Sequence, residues 1–165
     1  MKTVDQTAWK GKAMEGWVAR WYTRTRRKDM ADFRREAKAI AKRLNRGSSV
    51  LEVAPGPGFF TIELAQLGDF RITGLDISQT LVKIADKNAF DAGVKVEFRL
   101  GNASAMPFEQ DAFDFVYCAA AFKNFSEPVK GFERDASRSS SGMRGADHRS
   151  QICGRIPHSM RSTGM

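Results

Sequence analysis

The apolar positions near the start of the chain recur at helical spacing. Met14, Trp17, Val18, Trp21 and Tyr22 fall three and four residues apart, which predicts a helix whose aromatic stripe packs into a core. Met30, Phe33, Ala37, Ile40 and Leu44 repeat the pattern within 29–47, where Asp29 is placed to cap the start and Gly47 the end. At residue 50 the rhythm changes. VLEVA (50–54) reads as a strand, PGPG (55–58) as a turn, and FFTIELAQLG (59–68) as a helix stopping at glycine. RITGLDIS (71–78) supplies a second strand ending near Asp76, and 78–93 a helix with Leu81, Ile84, Ala85 and Ala89 turned inward. VKVEFRLGNA (94–103) is a third strand. FDFVYCAAAF (113–122) has too little polarity for a half-exposed strand and reads as a fourth, covered on both faces. Strands alternating with helices predict an α/β fold: an open sheet with crossover connections, preceded by N-terminal helices.

A chain of 165 residues has room for one domain with a core of its own. Three regions divide it: a helical cap over 1–47, a core over 48–133 and a tail over 134–165. The net charge of +8 is uneven. Residues 1–47 hold 14 Lys and Arg against five Asp and Glu, residues 48–133 seven against twelve, and residues 134–165 six against two. The core is therefore acidic, and the basic N-terminal run reads as solvated helix faces, so a nucleic-acid partner is not expected. No apolar stretch has membrane-spanning length, and the first residues lack the apolar segment of a signal peptide, which predicts a cytoplasmic protein without membrane partners. Cys118 and Cys153 suggest neither a disulfide framework nor a metal site, and both histidines, His148 and His158, lie in the tail. The oligomeric state leaves no mark on the sequence.

Against that background LEVAPGPG (51–58) carries the candidate chemistry. A strand feeding a helix through a glycine turn brings unsatisfied backbone N–H groups to the strand's carboxyl end. Gly56 and Gly58 allow a ligand close to the backbone, while Pro55 and Pro57 stiffen the loop. Asp76 follows Gly56 by twenty positions, at the end of the next strand, where a carboxylate can accept from ribose hydroxyls. Taken together these residues describe a nucleoside site. The alternative is a tight turn with Asp76 capping the following helix.

These residues resemble class I S-adenosylmethionine-dependent methyltransferases of the small-molecule type. VLEVAPGPG matches the family's first motif, with Glu52 as its acid, Gly56 and Gly58 as its second and third glycines, and Ala54 in place of the first. The resemblance implies S-adenosylmethionine as cofactor, with Asp76 holding the ribose and Ile77 packing on the adenine. GNASAMPFEQDAFDFV (101–116) resembles the third and fourth motifs, with Asn102, beside Ala103, where the family has Asp. An amide there can still bond the adenine edge, since it both donates and accepts. Asp114 is expected to orient the start of a strand. Methyl transfer from a sulfonium needs alignment above all, so no catalytic dyad is expected. Trp17, Trp21, Tyr22, Phe122, Lys123 and Asn124 are candidates for lining the site of a small-molecule acceptor. Two other readings stay open: a catalytically inactive nucleotide-binding fragment, and an NAD-binding oxidoreductase, against which stands the absence of G-x-G-x-x-G.

Beyond Glu133 the composition loses all periodicity, with scattered arginine and serine. For a suitable choice of codons, a shift of one nucleotide lets 135–142 read as the end of a helix with a Pro-Gly turn, and 145–149 as an apolar strand. The shifted reading fails at Met143, where a second glycine belongs. The tail is thus expected to be disordered or non-native, an out-of-frame extension leaving about four of the family's usual seven strands.

Overall fold

The fold is taken from a computed structural model, which describes residues 13–103, 107–109 and 112–118. Helices α1 (Gly16–Arg26) and α2 (Met30–Ala41) are joined by one 3-10 turn and lead into β1 (Ser49–Val53). Then follow α3 (Phe59–Ala65), β2 (Arg71–Asp76), α4 (Gln79–Asp91), β3 (Glu97–Leu100) and β4 (Phe115–Tyr117). The sheet runs β3-β2-β1-β4 and every pair is parallel. β1 pairs with β2 on one side and β4 on the other, so the chain reverses its direction of travel across the sheet beside β1. Ligands of open α/β sheets bind at such a switch point, above the carboxyl ends of the strands.

Alternation along the strands sorts the core into layers. Val50 and Ile72 sit opposite one another and, with Phe115 and Tyr117, meet Phe33, Ala37 and Ile40 of α2 and Phe59, Phe60 and Leu64 of α3. Leu51, Val53, Leu75, Val116 and Cys118 build a second cluster with Ala103. Residues 104–106, 110–111 and 119–165 lie outside the described set. With them lie the end of the predicted fourth strand, the candidates Phe122, Lys123 and Asn124, both histidines, Cys153 and the tail.

Several expected details differ. The aromatic stripe of α1 is not a core stripe: Trp17 and Trp21 are 75% and 62% exposed, while Ala19 and Thr23 are the buried residues. Small side chains on the inner face let the helix approach closely, and two indoles turned inward would prevent it. Helix α2 ends at Ala41 rather than near Gly47. Gly47, at φ +78°, serves the turn into β1 instead, its N–H donating to Asp69 O at 2.6 Å. Asp29 makes no side-chain cap and accepts from Arg26 Nη1 at 2.6 Å. Ile84 is only half-buried, and β3 begins at Glu97, where pairing with Thr73 starts.

Candidate cofactor site

The turn after β1 is held in an unusual backbone shape. Ala54, Gly56 and Gly58 all lie at positive φ, 56°, 57° and 76°, the left-handed region that glycine enters freely and alanine at a cost. Ala54 N–H still donates to Leu75 O at 2.8 Å, extending the β1–β2 ladder by one bond before the chain turns. Gly58 N–H closes the turn on Pro55 O at 3.0 Å, and α4 holds its outer side, Asn88 Nδ2 donating to Pro57 O at 2.9 Å. A Cβ on Gly58 would stand 2.8 Å from Phe98 Cζ and 3.1 Å from Ala85 Cβ, so this glycine serves close packing of the loop on β3 and α4.

Asp76 ends β2 directly beside that turn. One carboxylate oxygen accepts from Gly56 N at 3.0 Å and the other from Ser78 N at 2.9 Å. The carboxylate therefore joins the glycine turn to the start of α4. Burial pushes its pKa up to about 6, against the backbone N–H groups of Ser78, Gly56 and Ile77, which favour the charged form. Two carboxylate oxygens offer about four lone-pair positions, more than these amides occupy, so the ionised group can still accept from a ribose hydroxyl. Gly101 N–H donates to Asp76 O at 2.8 Å, which draws the segment after β3 to the same edge. Asn102 and Ala103 are buried there, and half-buried Ala54 packs against the cluster containing Ala103. Ile77, half-buried, forms the bend between Asp76 and Ser78.

Glu52 is placed differently. It lies within β1, 4% exposed, under the turn rather than on the rim, and accepts from the Thr61 hydroxyl of α3. Burial pushes its pKa up to about 8; the Thr61 hydroxyl works against this, while Glu36 and Asp76 add to it. The shift favours the protonated acid at neutral pH. Tyr117, opposite Glu52 in the ladder, stacks on Phe60 and is buried with its hydroxyl near Glu36. Asp114 lies at the other end of the sheet, where its Oδ2 accepts from Ser49 N at 2.8 Å and fixes the start of β1.

An N-terminal strap crosses the rim. Ser78 Oγ accepts from Leu81 N at 3.0 Å, capping α4, and donates to Met14 O. The Glu15 carboxylate accepts from Gln79 N at 2.8 Å, from Thr80 N at 3.0 Å and from the Thr80 hydroxyl. Burial would raise its pKa, but these bonds outweigh it and hold the carboxyl below its usual value. From there α1 runs over the glycine turn, where Tyr22 Cε1 would stand 3.3 Å from a Cβ on Gly56. Pro55 to Gly58 are all buried. Of the predicted lining residues that are described, Tyr22 reaches the turn and Trp17 and Trp21 point to solvent. Glu15, Thr61 and Thr80 carry no local signal, because each matters only through a partner brought up by the fold.

Residues 50–138, over half of the chain, match the family described as a methyltransferase domain. The chain belongs to that family. It is 34% identical over 83 residues to demethylmenaquinone methyltransferase of Deinococcus radiodurans, an alignment covering 50% of this chain and 34% of the relative. To ubiquinone biosynthesis O-methyltransferase of Xanthomonas euvesicatoria it is 31% identical over 84 residues, covering 50% and 35%. The chain thus spans about a third of the length of the curated relatives it matches. Among solved structures, a candidate S-adenosyl-L-methionine-dependent methyltransferase from Methanococcus maripaludis superposes with a TM-score of 0.60 at 25% identity, covering 66% of this chain and 52% of that one. A SAM-dependent methyltransferase from Aquifex aeolicus gives 0.51 at 26% identity, covering 56% and 52%. The sheet order, the glycine turn and these likenesses agree on the Rossmann-like fold of class I methyltransferases, whose cofactor is S-adenosylmethionine.

Proposed function

We propose that this chain binds S-adenosylmethionine at the carboxyl edge of its sheet and acts as the cofactor half of a small-molecule methyltransferase. The observation that carries the reading is the Asp76 carboxylate, fixed by Gly56 N–H and Ser78 N–H beside the glycine turn. In this reading Asp76 accepts from the ribose hydroxyls and Ile77 packs on the adenine, whose edge the Asn102 amide meets beside Ala103. Ala54, Gly56 and Gly58 shape the turn against which the rest of the cofactor lies, and Glu52 supports that turn from below. The cofactor supplies a methyl group already activated by its sulfonium charge. The chain's task is then to hold donor and acceptor in line and to exclude water, an effect of position rather than of acid–base chemistry. Tyr22 and the Met14–Gly16 strap lie where they would cover the bound cofactor. Since the relatives' names place them in menaquinone and ubiquinone synthesis, quinone-pathway intermediates are the first acceptors to test.

Calorimetric titration with S-adenosylmethionine tests the reading, with NAD as the competing ligand. Replacing Asp76 by Ala removes charge-assisted hydrogen bonds to the ribose, and affinity is expected to fall about 100-fold. A chain that prefers NAD, or an Asp76→Ala variant that remains folded by circular dichroism and binds unchanged, overturns it. Binding without methyl transfer to any quinone-pathway acceptor would leave a cofactor-binding fragment and refute the enzyme reading.

A further inference from the structure

We propose that the outer face of α1 docks on the surface of an anionic lipid bilayer. Trp17 and Trp21 lie four residues apart, as do Arg20 and Arg24, and each Arg follows a Trp by three, so the four form a single stripe. The stripe lies opposite Ala19 and Thr23, and all four of its residues are exposed, the two indoles by 75% and 62%. Arg27 and Lys28, also exposed, continue it into the 3-10 turn. None of these four cations enters an ion pair among the described residues, and α1 itself contains no acidic residue. Two adjacent indoles left in water beside four unpaired cations form a surface with a partner of definite chemistry: apolar at the centre and negative around it.

Shape and charge choose among such partners. Tryptophan is favoured at the boundary between headgroups and acyl chains, and lysine and arginine are attracted to an anionic leaflet. A bilayer is broad and can receive a convex helix face. Single-stranded nucleic acid also joins stacking to positive charge, but it is held in grooves that track its backbone, and an outward helix face offers none. A second copy of the chain would bring like charges together. Among the described residues no helix is long and apolar enough to cross a membrane, so the contact is one of lying on the surface. The expectation of no membrane partner rested on spanning length, which such a contact does not need. The inference does not depend on the cofactor reading.

Co-sedimentation of the full chain with phosphatidylcholine vesicles, with and without phosphatidylserine, tests it. The wild type is expected to sediment with the anionic vesicles and to be released by salt. Replacing Arg20 and Arg24 together by Gln should weaken partitioning about 30-fold, and the pair Trp17→Ser and Trp21→Ser at least about tenfold. All four residues are exposed, and circular dichroism of each variant confirms that the fold is retained. Failure to bind anionic vesicles overturns the proposal, as does equal binding to both vesicle types, or binding that survives both pairs of substitutions. So does a wild type that dimerises through this face or binds single-stranded RNA in preference to vesicles.

Discussion

Glu52 and Asp76 are two acids on adjacent parallel strands, both buried and both on the face of the sheet packed by α2, α3 and α4, and they differ in what donates to them. Asp76 is met by the backbone N–H groups of Ser78, Gly56 and Ile77, which favour the charged form, and its pKa stops at about 6. Glu52 is met by Thr61, through its hydroxyl and its backbone N–H, and by the opposing acids Glu36 and Asp76, and under the larger cost of burial its pKa reaches about 8. At neutral pH the first favours the anion and the second the acid. Burial alone therefore does not decide whether a carboxyl keeps its charge; backbone donors on both oxygens, at the open end of a sheet, help to hold it. Glu52 reads as internal support for the turn that Asp76 holds from outside.

The sharpest way to break this contrast is to remove the titrating proton of Glu52. Its pKa is raised from 4.5 in the unfolded chain to about 8 in the fold, so the folded state holds the proton more tightly. Stability contributed by this group is full below about pH 4.5 and is lost as pH rises toward 8. Glu52→Gln keeps an acceptor for Thr61 and has no proton to lose. Thermal unfolding of the two proteins should give similar midpoints near pH 5, with the variant ahead by on the order of a few kcal/mol above pH 8. A constant difference across that range would mean that Glu52 is ionised in the fold and that the contrast with Asp76 is wrong.

A smaller effect is expected from Asp76, with a sign that depends on what is measured. Its raised pKa makes the empty protein lose stability as pH climbs from 3.8 toward about 6. Binding of a ribose diol runs the other way, because the hydroxyls donate to the ionised carboxylate. S-adenosylmethionine affinity should therefore hold above pH 6 and fall about tenfold for each further unit of acidity. In Asp76→Asn that component should be missing at every pH. Calorimetric titration of both proteins between pH 5 and 7.5 separates this group from any titration of the cofactor itself.

The placing of the glycine turn beside Asp76 was legible in the sequence, whereas the different donors of Glu52 were not. The strand, glycine turn, helix, strand sequence brings Gly56 and Asp76 together whatever else happens, because a right-handed crossover leaves the next strand alongside the first. The roles of Glu15 and Thr80 were not legible: their bond joins positions 65 apart, and no local pattern reports it. Nor was the rotation of α1. Apolar residues stand on both of its faces, Trp17 and Trp21 on one and Val18 and Tyr22 toward the other, and periodicity alone assigned them to a single stripe. The closer fit of Ala19 and Thr23 decided the matter. Helix α2 shows a similar limit, since Leu44 keeps the apolar rhythm, and still packs on the core, after the backbone has left the helix at Lys42.

The smallest expected effect concerns the turn that both acids serve. Ala54 occupies the first glycine position of the motif the chain resembles, and its φ of 56° is the only positive value among the described non-glycine residues. A left-handed conformation costs a residue with a Cβ about 1–2 kcal/mol. Ala54→Gly removes that cost, and gives back part of the gain through the greater freedom of glycine in the unfolded chain and through the lost contact of a half-buried methyl group. The net expectation is stabilisation by about 0.5–1 kcal/mol, or roughly 2 °C in Tm for a chain of this size. Gly58 gives the opposite control, since there a methyl group would meet both positive φ and the Phe98 ring. If Ala54→Gly lowered Tm, the methyl contact with the Ala103 cluster would outweigh the backbone strain, and the turn would owe its shape to packing from that side rather than to the Gly56–Asp76 bond.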